Sequence, residues 1–364
     1  MKRKFLYIFL VLLLVTALPC SAQEKLEILN ADRGRGEKTD QGIVRHLEGN
    51  IHLRQGTAEL FCQQVTWYVD FDKTILRQDV TFIDGPRTLQ ADEITYYNEK
   101  QVAHAMGHVV MVDSVYRVTS DNATYYELDE KITAKDNVTI TDDENSIILT
   151  GQHAEYFSKE EYAKATGNPV LTKLDSTGKE DIVVTGDVME LFAGGDSTIV
   201  KDNVVITHKN SKATCNKAEY FKKENRIVLS EEPVVQQKYD KLTGKEIELF
   251  FRKQNLEKVI INGDARVSSQ VDTTFEDSRR NRLLGRTIRL TIEKSRLKEV
   301  YVEGQATCYY YIIENEEYKG LNKIIGDQIT MSLDNGKIQQ IIIDSDPQSS
   351  SGVYYPPGHE KTDS

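Results

Sequence analysis

This chain repeats itself, and a repeating chain of this kind folds by stacking one building block on the next. The segment Ala91-Asp92-Glu93-Ile94-Thr95-Tyr96-Tyr97 returns as Ser120-Asp121-Asn122-Ala123-Thr124-Tyr125-Tyr126. It returns again as Gly151-Gln152-His153-Ala154-Glu155-Tyr156-Phe157 and as Cys215-Asn216-Lys217-Ala218-Glu219-Tyr220-Phe221. Weaker copies centre on Trp67, Leu191, Leu249, Leu290 and Met331. The nine anchors Trp67, Tyr96, Tyr125, Tyr156, Leu191, Tyr220, Leu249, Leu290 and Met331 are 29, 29, 31, 35, 29, 29, 41 and 41 residues apart.

The columns of this alignment carry geometry. Two residues before each anchor stand Val65, Ile94, Ala123, Ala154, Met189, Ala218, Ile247, Ile288 and Ile329, and the residue between is Thr, Glu or Arg. Apolar–polar–apolar is the period of a strand with one buried face. Five residues before each anchor every copy is small: Cys62, Ala91, Ser120, Gly151, Gly186, Cys215, Gly244, Gly285 and Gly326. A small-residue column implies a turn, a bulge or a close approach of two layers. A second strand recurs as Gly49-Asn50-Ile51-His52-Leu53, Gly107-His108-Val109-Val110-Met111, Asp136-Asn137-Val138-Thr139-Ile140 and Asp202-Asn203-Val204-Val205-Ile206. Polar triplets such as Asn98-Glu99-Lys100 separate the two. The pattern predicts an all-β protein, an elongated open β-jelly roll or stacked β-sandwich of about nine two-stranded repeats. One rung of about 4.8 Å per repeat gives a body on the order of 40 Å.

With 39% apolar and 28% charged residues the chain can bury a core. A formal charge of −11 with no Lys/Arg run argues against nucleic acid. Residues 1–22 read as an export signal: Lys2, Arg3 and Lys4, the apolar run Phe5 to Val15, then Cys20-Ser21-Ala22 with cleavage after Ala22. Acylation at Cys20 and an uncleaved anchor are the minor alternatives. Residues 23–42 are expected to be a flexible segment, 43–270 the jelly roll, 271–283 a linker or insertion, 284–345 further repeats and 346–364 a disordered tail. Cys62 and Cys215 sit in the small-residue column and Cys308 in an apolar slot, so the cysteines need no chemistry. No disulfide framework or zinc knuckle fits them.

The run Gly49-Asn50-Ile51-His52-Leu53-Arg54-Gln55-Gly56-Thr57, followed by the strand through Trp67, resembles the OstA-like/LptA family of periplasmic lipopolysaccharide-transport proteins. That family includes the N-terminal domain of the LptD-type outer-membrane assembly protein. Its Ala-Asp element is matched at Ala91-Asp92 and partly at Asp121, Asp187 and Asp327, while Cys62-Gln63 departs from it. The resemblance spans roughly residues 43–345. It implies a non-enzymatic, periplasmic carrier or bridge that shields lipopolysaccharide acyl chains in an apolar groove on the way to the outer membrane. It also implies other Lpt-type envelope components as partners and end-to-end self-association, with no cofactor. Holding acyl chains in water costs about 0.8 kcal/mol per methylene, which is why a carrier is needed. A polysaccharide-active parallel β-helix enzyme and a passive envelope assembly module are the alternatives.

Groove candidates are the inward positions Ile51, Leu53, Val65, Trp67, Val80, Phe82, Ile94, Tyr96, Val109, Met111, Tyr125, Val138, Ile140 and Tyr156. Alternation shows burial and not vacancy, so these residues either line a groove or fill a dry core. Tyr68, Tyr97, Tyr126, Phe157, Phe192, Phe221 and Phe250 follow the anchors by one and are expected to form a ladder on the opposite face. His104 and His108 are four apart, a metal spacing only on a helix, so no metal site is expected. The sequons at Asn122 and Asn137 read as chance matches. No catalytic constellation stands out.

Overall fold

The computed structural model describes residues 27–40, 42–113, 116–192, 196–252, 255–271, 279–314, 317–334, 337–346 and 348–359. The expected export signal and most of the expected insertion at 271–283 lie outside the described residues. The chain forms two compact units, 1–183 with 188–194 and 184–187 with 195–364. Among the described residues no helix is long and apolar enough to cross a membrane.

Unit 1 opens with two short strands, β1 (Glu27–Asn30) and β2 (Arg33–Thr39). Eight long strands follow: β3 (Gly42–Gln55), β4 (Ala58–Tyr68), β5 (Lys73–Asp84), β6 (Arg87–Tyr97), β7 (Val102–Asp113), β8 (Tyr116–Tyr126), β9 (Lys131–Asp142) and β10 (Ile147–Phe157). Shorter pieces succeed them as β11 (Tyr162–Thr166), β12 (Val170–Leu174), β13 (Glu180–Thr185) and β14 (Val188–Phe192). Each long strand pairs antiparallel with the next. The ladder breaks register once in the middle of every pair, for example between Gln90 and Glu93. The antiparallel pairing rules out the parallel β-helix alternative.

The breaks are corners. At them the odd-numbered strands pass through two successive left-handed residues: Gly49-Asn50, Gln78-Asp79, Gly107-His108 and Asp136-Asn137. A left-handed residue other than Gly costs about 1–2 kcal/mol, least for Asn and Asp. Those residues recur here, and a hydrogen bond to an Asp of the preceding strand or bend fixes them. Asn50 Nδ2 donates to Asp32 at 2.9 Å, His108 Nδ1 to Asp92 at 2.9 Å and Asn137 Nδ2 to Asp121 at 2.7 Å. The Gly-Asn and Ala-Asp elements of the sequence are therefore the two partners of one corner. The sequon residues Asn122 and Asn137 both serve here, Asn122 donating to Asp136.

The bend divides every long strand into two halves whose inward side chains meet in a common cluster. Ile51 and Val80 from one half pack there with Val65, Leu76 and Ile94 from the other. Each unit is thus an open antiparallel β-jelly roll. The sequence reading took the two recurring segments as separate strands, one rung per repeat. Both continue through the corner, so each repeat adds two strands to each layer, about twice the expected advance.

Unit 2 repeats the plan. Its first strands are β15 (Ser197–His208), β16 (Ser211–Phe221), β17 (Arg226–Ser230), β18 (Val234–Gln237), β19 (Asp240–Thr243) and β20 (Glu246–Arg252). They are followed by β21 (Asn255–Gln270), β22 (Arg280–Glu293), β23 (Arg296–Glu314), β24 (Glu317–Asp334), β25 (Lys337–Asp344) and β26 (Ser351–Tyr355). Left-handed pairs mark the corners at Asp202-Asn203, Glu231-Glu232, Gly263-Asp264 and Gly304-Gln305. The small-residue column passes on the inside of the bend. A Cβ on Gly285 would stand 2.6 Å from Val302 Cγ1 and 3.1 Å from the Glu303 carbonyl oxygen.

Three segment expectations change. Residues 23–42 hold strands, because β1 and β2 pair with the two halves of β3 around a bend at Asp32. Residues 346–364 hold β26, paired with Leu321–Ile325 of β24 and anchored where Asp327 accepts hydrogen bonds from Asp346 N and Ser349 Oγ. Neither segment alternates clearly in hydropathy, and edge pairing uses only backbone groups, so side-chain periodicity gave no signal. The division between units falls at 184–195 instead of 271–283. The spacing of 41 residues instead lengthens β21 to β24 to 16, 14, 19 and 18 residues.

Candidate functional site

The corner defines two inward rows per unit, one for each layer. In the first layer of unit 1, cross-strand partners run Leu47, Val65, Leu76, Ile94, then Ala105, Ala123, Ala134, Ala154 and Ala165. In the second layer they run Leu53, Leu60, Phe82, Leu89, Met111, Val118, Ile140, Leu149 and Leu171. From β7 onward the first layer thus presents a methyl where earlier strands present a whole aliphatic side chain. Burial in the second layer follows. Leu53, Leu60, Phe82 and Leu89 are buried, Met111, Val118 and Ile140 are only partly covered, and Leu149 beyond them is buried again.

The candidate residues separate accordingly. Ile51, Leu53, Val65, Val80, Phe82, Ile94 and Val109 are buried together in one cluster, with Met111 at its margin. Tyr96 and Tyr125 share a smaller cluster with Ala103. Val138 packs with Ala134 and Ala154, and Ile140 lies against them. Trp67 and Tyr156 remain half-buried, Trp67 beneath the Arg45 guanidinium at 4.7 Å. The first strands thus enclose a packed interior, and Met111, Val118 and Ile140 on β7 to β9 are partly covered. Val118, which also faces inward and is partly covered, was not among the candidates. It sits on the returning strand between Met111 and Ile140, and only the cross-strand register reveals it.

Polar groups close the first-layer end of this interior. Tyr96 Oη donates to Glu127 at 3.2 Å, and Tyr96 is fully buried. Burial pushes the Glu127 carboxyl above its ordinary range, and the Tyr96 hydrogen bond partly opposes it. Burial also pushes the Tyr96 phenol up, helped by the Glu127 charge, and pushes Tyr125 up to about 12. Groups whose folded pKa is raised contribute stability that is complete below the unfolded value and vanishes as pH climbs through the folded value. Stability measured by urea denaturation is therefore expected to fall as pH rises from about 10 toward 12. The double variant Tyr96→Phe/Tyr125→Phe should flatten that alkaline slope.

The outer face of the first layer carries the expected aromatic ladder, interleaved with cations. Lys73 lies between Tyr68 and Tyr97, Lys131 between Tyr126 and Phe157, and Lys258 stands 4.1 Å over Phe250. These are cation–π pairs at an exposed surface, each contributing about 0.5–1 kcal/mol. His104 bonds Thr124 Oγ1 while His108 bonds Asp92, so the two histidines serve different strand contacts.

The thiols of Cys62, Cys215 and Cys308 are free and buried. Burial raises them to about 12, 11 and 12. All three are expected to resist alkylation in the native protein and to react within minutes in denaturant, read by mass spectrometry.

A family model described as "LptA/(LptD N-terminal domain) LPS transport protein" matches residues 30–162 and 117–255. No curated protein matches. Among solved structures, the chain is similar to LptH of Pseudomonas aeruginosa, the LptA-homologous periplasmic component of the lipopolysaccharide transport device, at 21% identity. That match covers 40% of this chain and 95% of LptH with a TM-score of 0.31, so the assignment rests on the sequence match. The two matched stretches overlap and span more than half of the repeats traced here, corners and inward rows included, and the chain belongs to the LptA/(LptD N-terminal domain) LPS transport protein family.

Proposed function

We propose that this protein is a periplasmic lipopolysaccharide carrier that holds acyl chains in the apolar trough between its two layers. One observation carries the reading. The row of five alanines from Ala105 to Ala165 presents only methyl groups to the second layer, where Met111, Val118 and Ile140 are apolar, inward and incompletely covered. A fatty chain placed there recovers about 0.8 kcal/mol per methylene withdrawn from water. The protein supplies no cofactor to this task, and movement of the lipid is driven by other envelope components.

Stacking with those components uses the terminal strands. β1 and β2 present exposed side chains, with Ile28 and Leu29 among the exposed large apolar residues. β25 exposes Ile342 and Ile343 at the other end of the chain. Such strands accept a further strand through backbone hydrogen bonds.

The test is site-specific photocrosslinking in cells. A probe at Met111 or Ile140 is expected to label lipopolysaccharide, and a probe at Thr139, one residue out of phase, is not. Equal labelling from Thr139 and Ile140 would overturn the proposal.

A further inference from the structure

The second layer of unit 2 has an outer face that its sequence charges in a regular way. Cross-strand partners on that face run Thr207, Lys212, Gln236, Lys241, Ser268, Arg282, Tyr309, Lys323 and Val353. Lys212, Lys241, Arg282 and Lys323 occur at every second strand, about 9.6 Å apart. Each stands eight residues before its anchor, so the last four repeats all place a cation in this column. Arg266 and Arg280 add to the same face from the same strands by two-residue alternation.

Among the described residues no Asp or Glu occupies a strand position on this face. The acids at its margins are Asp240, Glu314 and Glu317 at hairpin ends, with Glu317 paired to Lys319, and Asp264 at the corner, facing Lys245. The corresponding column of unit 1 holds Glu59, Thr88, Arg117, Ile148 and Val183, with Glu59 paired to Arg54, and builds no such face. A concentrated cationic sheet on a chain of net charge −11 is not an average surface.

We propose that this face docks on the phosphate layer of an anionic lipid membrane. The side chains point away from the trough, whose inward row here is Leu242, Val267, Leu283, Cys308 and Ile324, so cargo held inside does not meet them. The exposed cations lie toward β16 to β22 and can meet membrane phosphates, whereas toward β23 and β24 the same face is apolar and covered, with Tyr309, Tyr311 and Leu321 buried together. Tyr239 is exposed at the hairpin beside it, and tyrosine is favoured at headgroup depth. Lys212, Lys241, Arg266 and Arg280 are exposed. The other occupants of such a face, an acidic protein or a second copy of this acidic chain, are separated by experiment.

Flotation of the full chain with vesicles of phosphatidylglycerol and phosphatidylcholine, free of lipopolysaccharide, tests the docking. Each cation at an anionic surface multiplies binding about fivefold, so the triple variant Lys212→Gln/Lys241→Gln/Arg266→Gln should bind on the order of a hundredfold less. Binding should also fall with added salt and be absent from phosphatidylcholine alone. An unchanged circular dichroism spectrum shows that the variant is folded. Equal flotation of the triple variant and the parent, or equal binding to neutral vesicles, overturns the proposal. So does a salt-sensitive association between copies that needs the same three cations while anionic vesicles are not bound. Because these vesicles contain no cargo lipid, any of these failures leaves the carrier reading untouched.

Discussion

Replacing Ala123 and Ala134 together by Phe is expected to abolish lipopolysaccharide retention while the protein stays folded. Both alanines belong to the first-layer row that faces Met111, Val118 and Ile140. Two rings in that row occupy the volume that an acyl chain would use. Excluding about six methylenes forfeits about 5 kcal/mol, a loss of several thousandfold in affinity. Overpacking a filled core costs about 1–3 kcal/mol, whereas filling an open trough costs less. Lipid co-purifying with the variant, measured by mass spectrometry, and its thermal midpoint together decide the matter. Retained lipid contradicts the trough. A collapse of the midpoint shows that the alanines touch a solid interior.

The second large effect is on stability. Ile288→Ala is expected to cost about 2–5 kcal/mol, read as a lower urea midpoint. Ile288 is fully buried and lies between Ile261 and Val302 in the first-layer row of unit 2, with Ile247 and Ile329 beyond them. The corner at Gly285 holds this strand against Val302, so the row has little freedom to close over a cavity. Thr214→Ala on the outer face of the same unit should stay within about 0.5 kcal/mol of the parent. Equal losses at the two positions would mean that the row is not the core of this unit.

Much of this was legible before any coordinates. The two-residue alternation before each anchor placed Ile94, Ile247, Ile288 and Ile329 inside, where they are. The small-residue column announced a close approach, and the structure makes it the inside of a bend. The aromatic column was rightly set on the opposite face, although its cations went unnoticed. Lys73, Lys131 and Lys258 meet the rings from neighbouring strands, and a pairing across strands is not visible along one strand. How far each inward candidate is covered was not legible for the same reason. Val109 and Val138 are inward and buried, and Val118 is inward and partly covered.

Repetition in the sequence determined the class of fold, the inward columns and the corners, because a strand's side-chain period and a left-handed turn are local properties. The tertiary structure alone decided where inward side chains are fully buried and where they are only partly covered. That depends on which side chains face one another across two layers, and a row of alanines matters only once Met111, Val118 and Ile140 stand opposite it. The repeat itself sets four cations, 29, 41 and 41 residues apart along the chain, in one column, and the tertiary structure decided that this column faces away from the inward row.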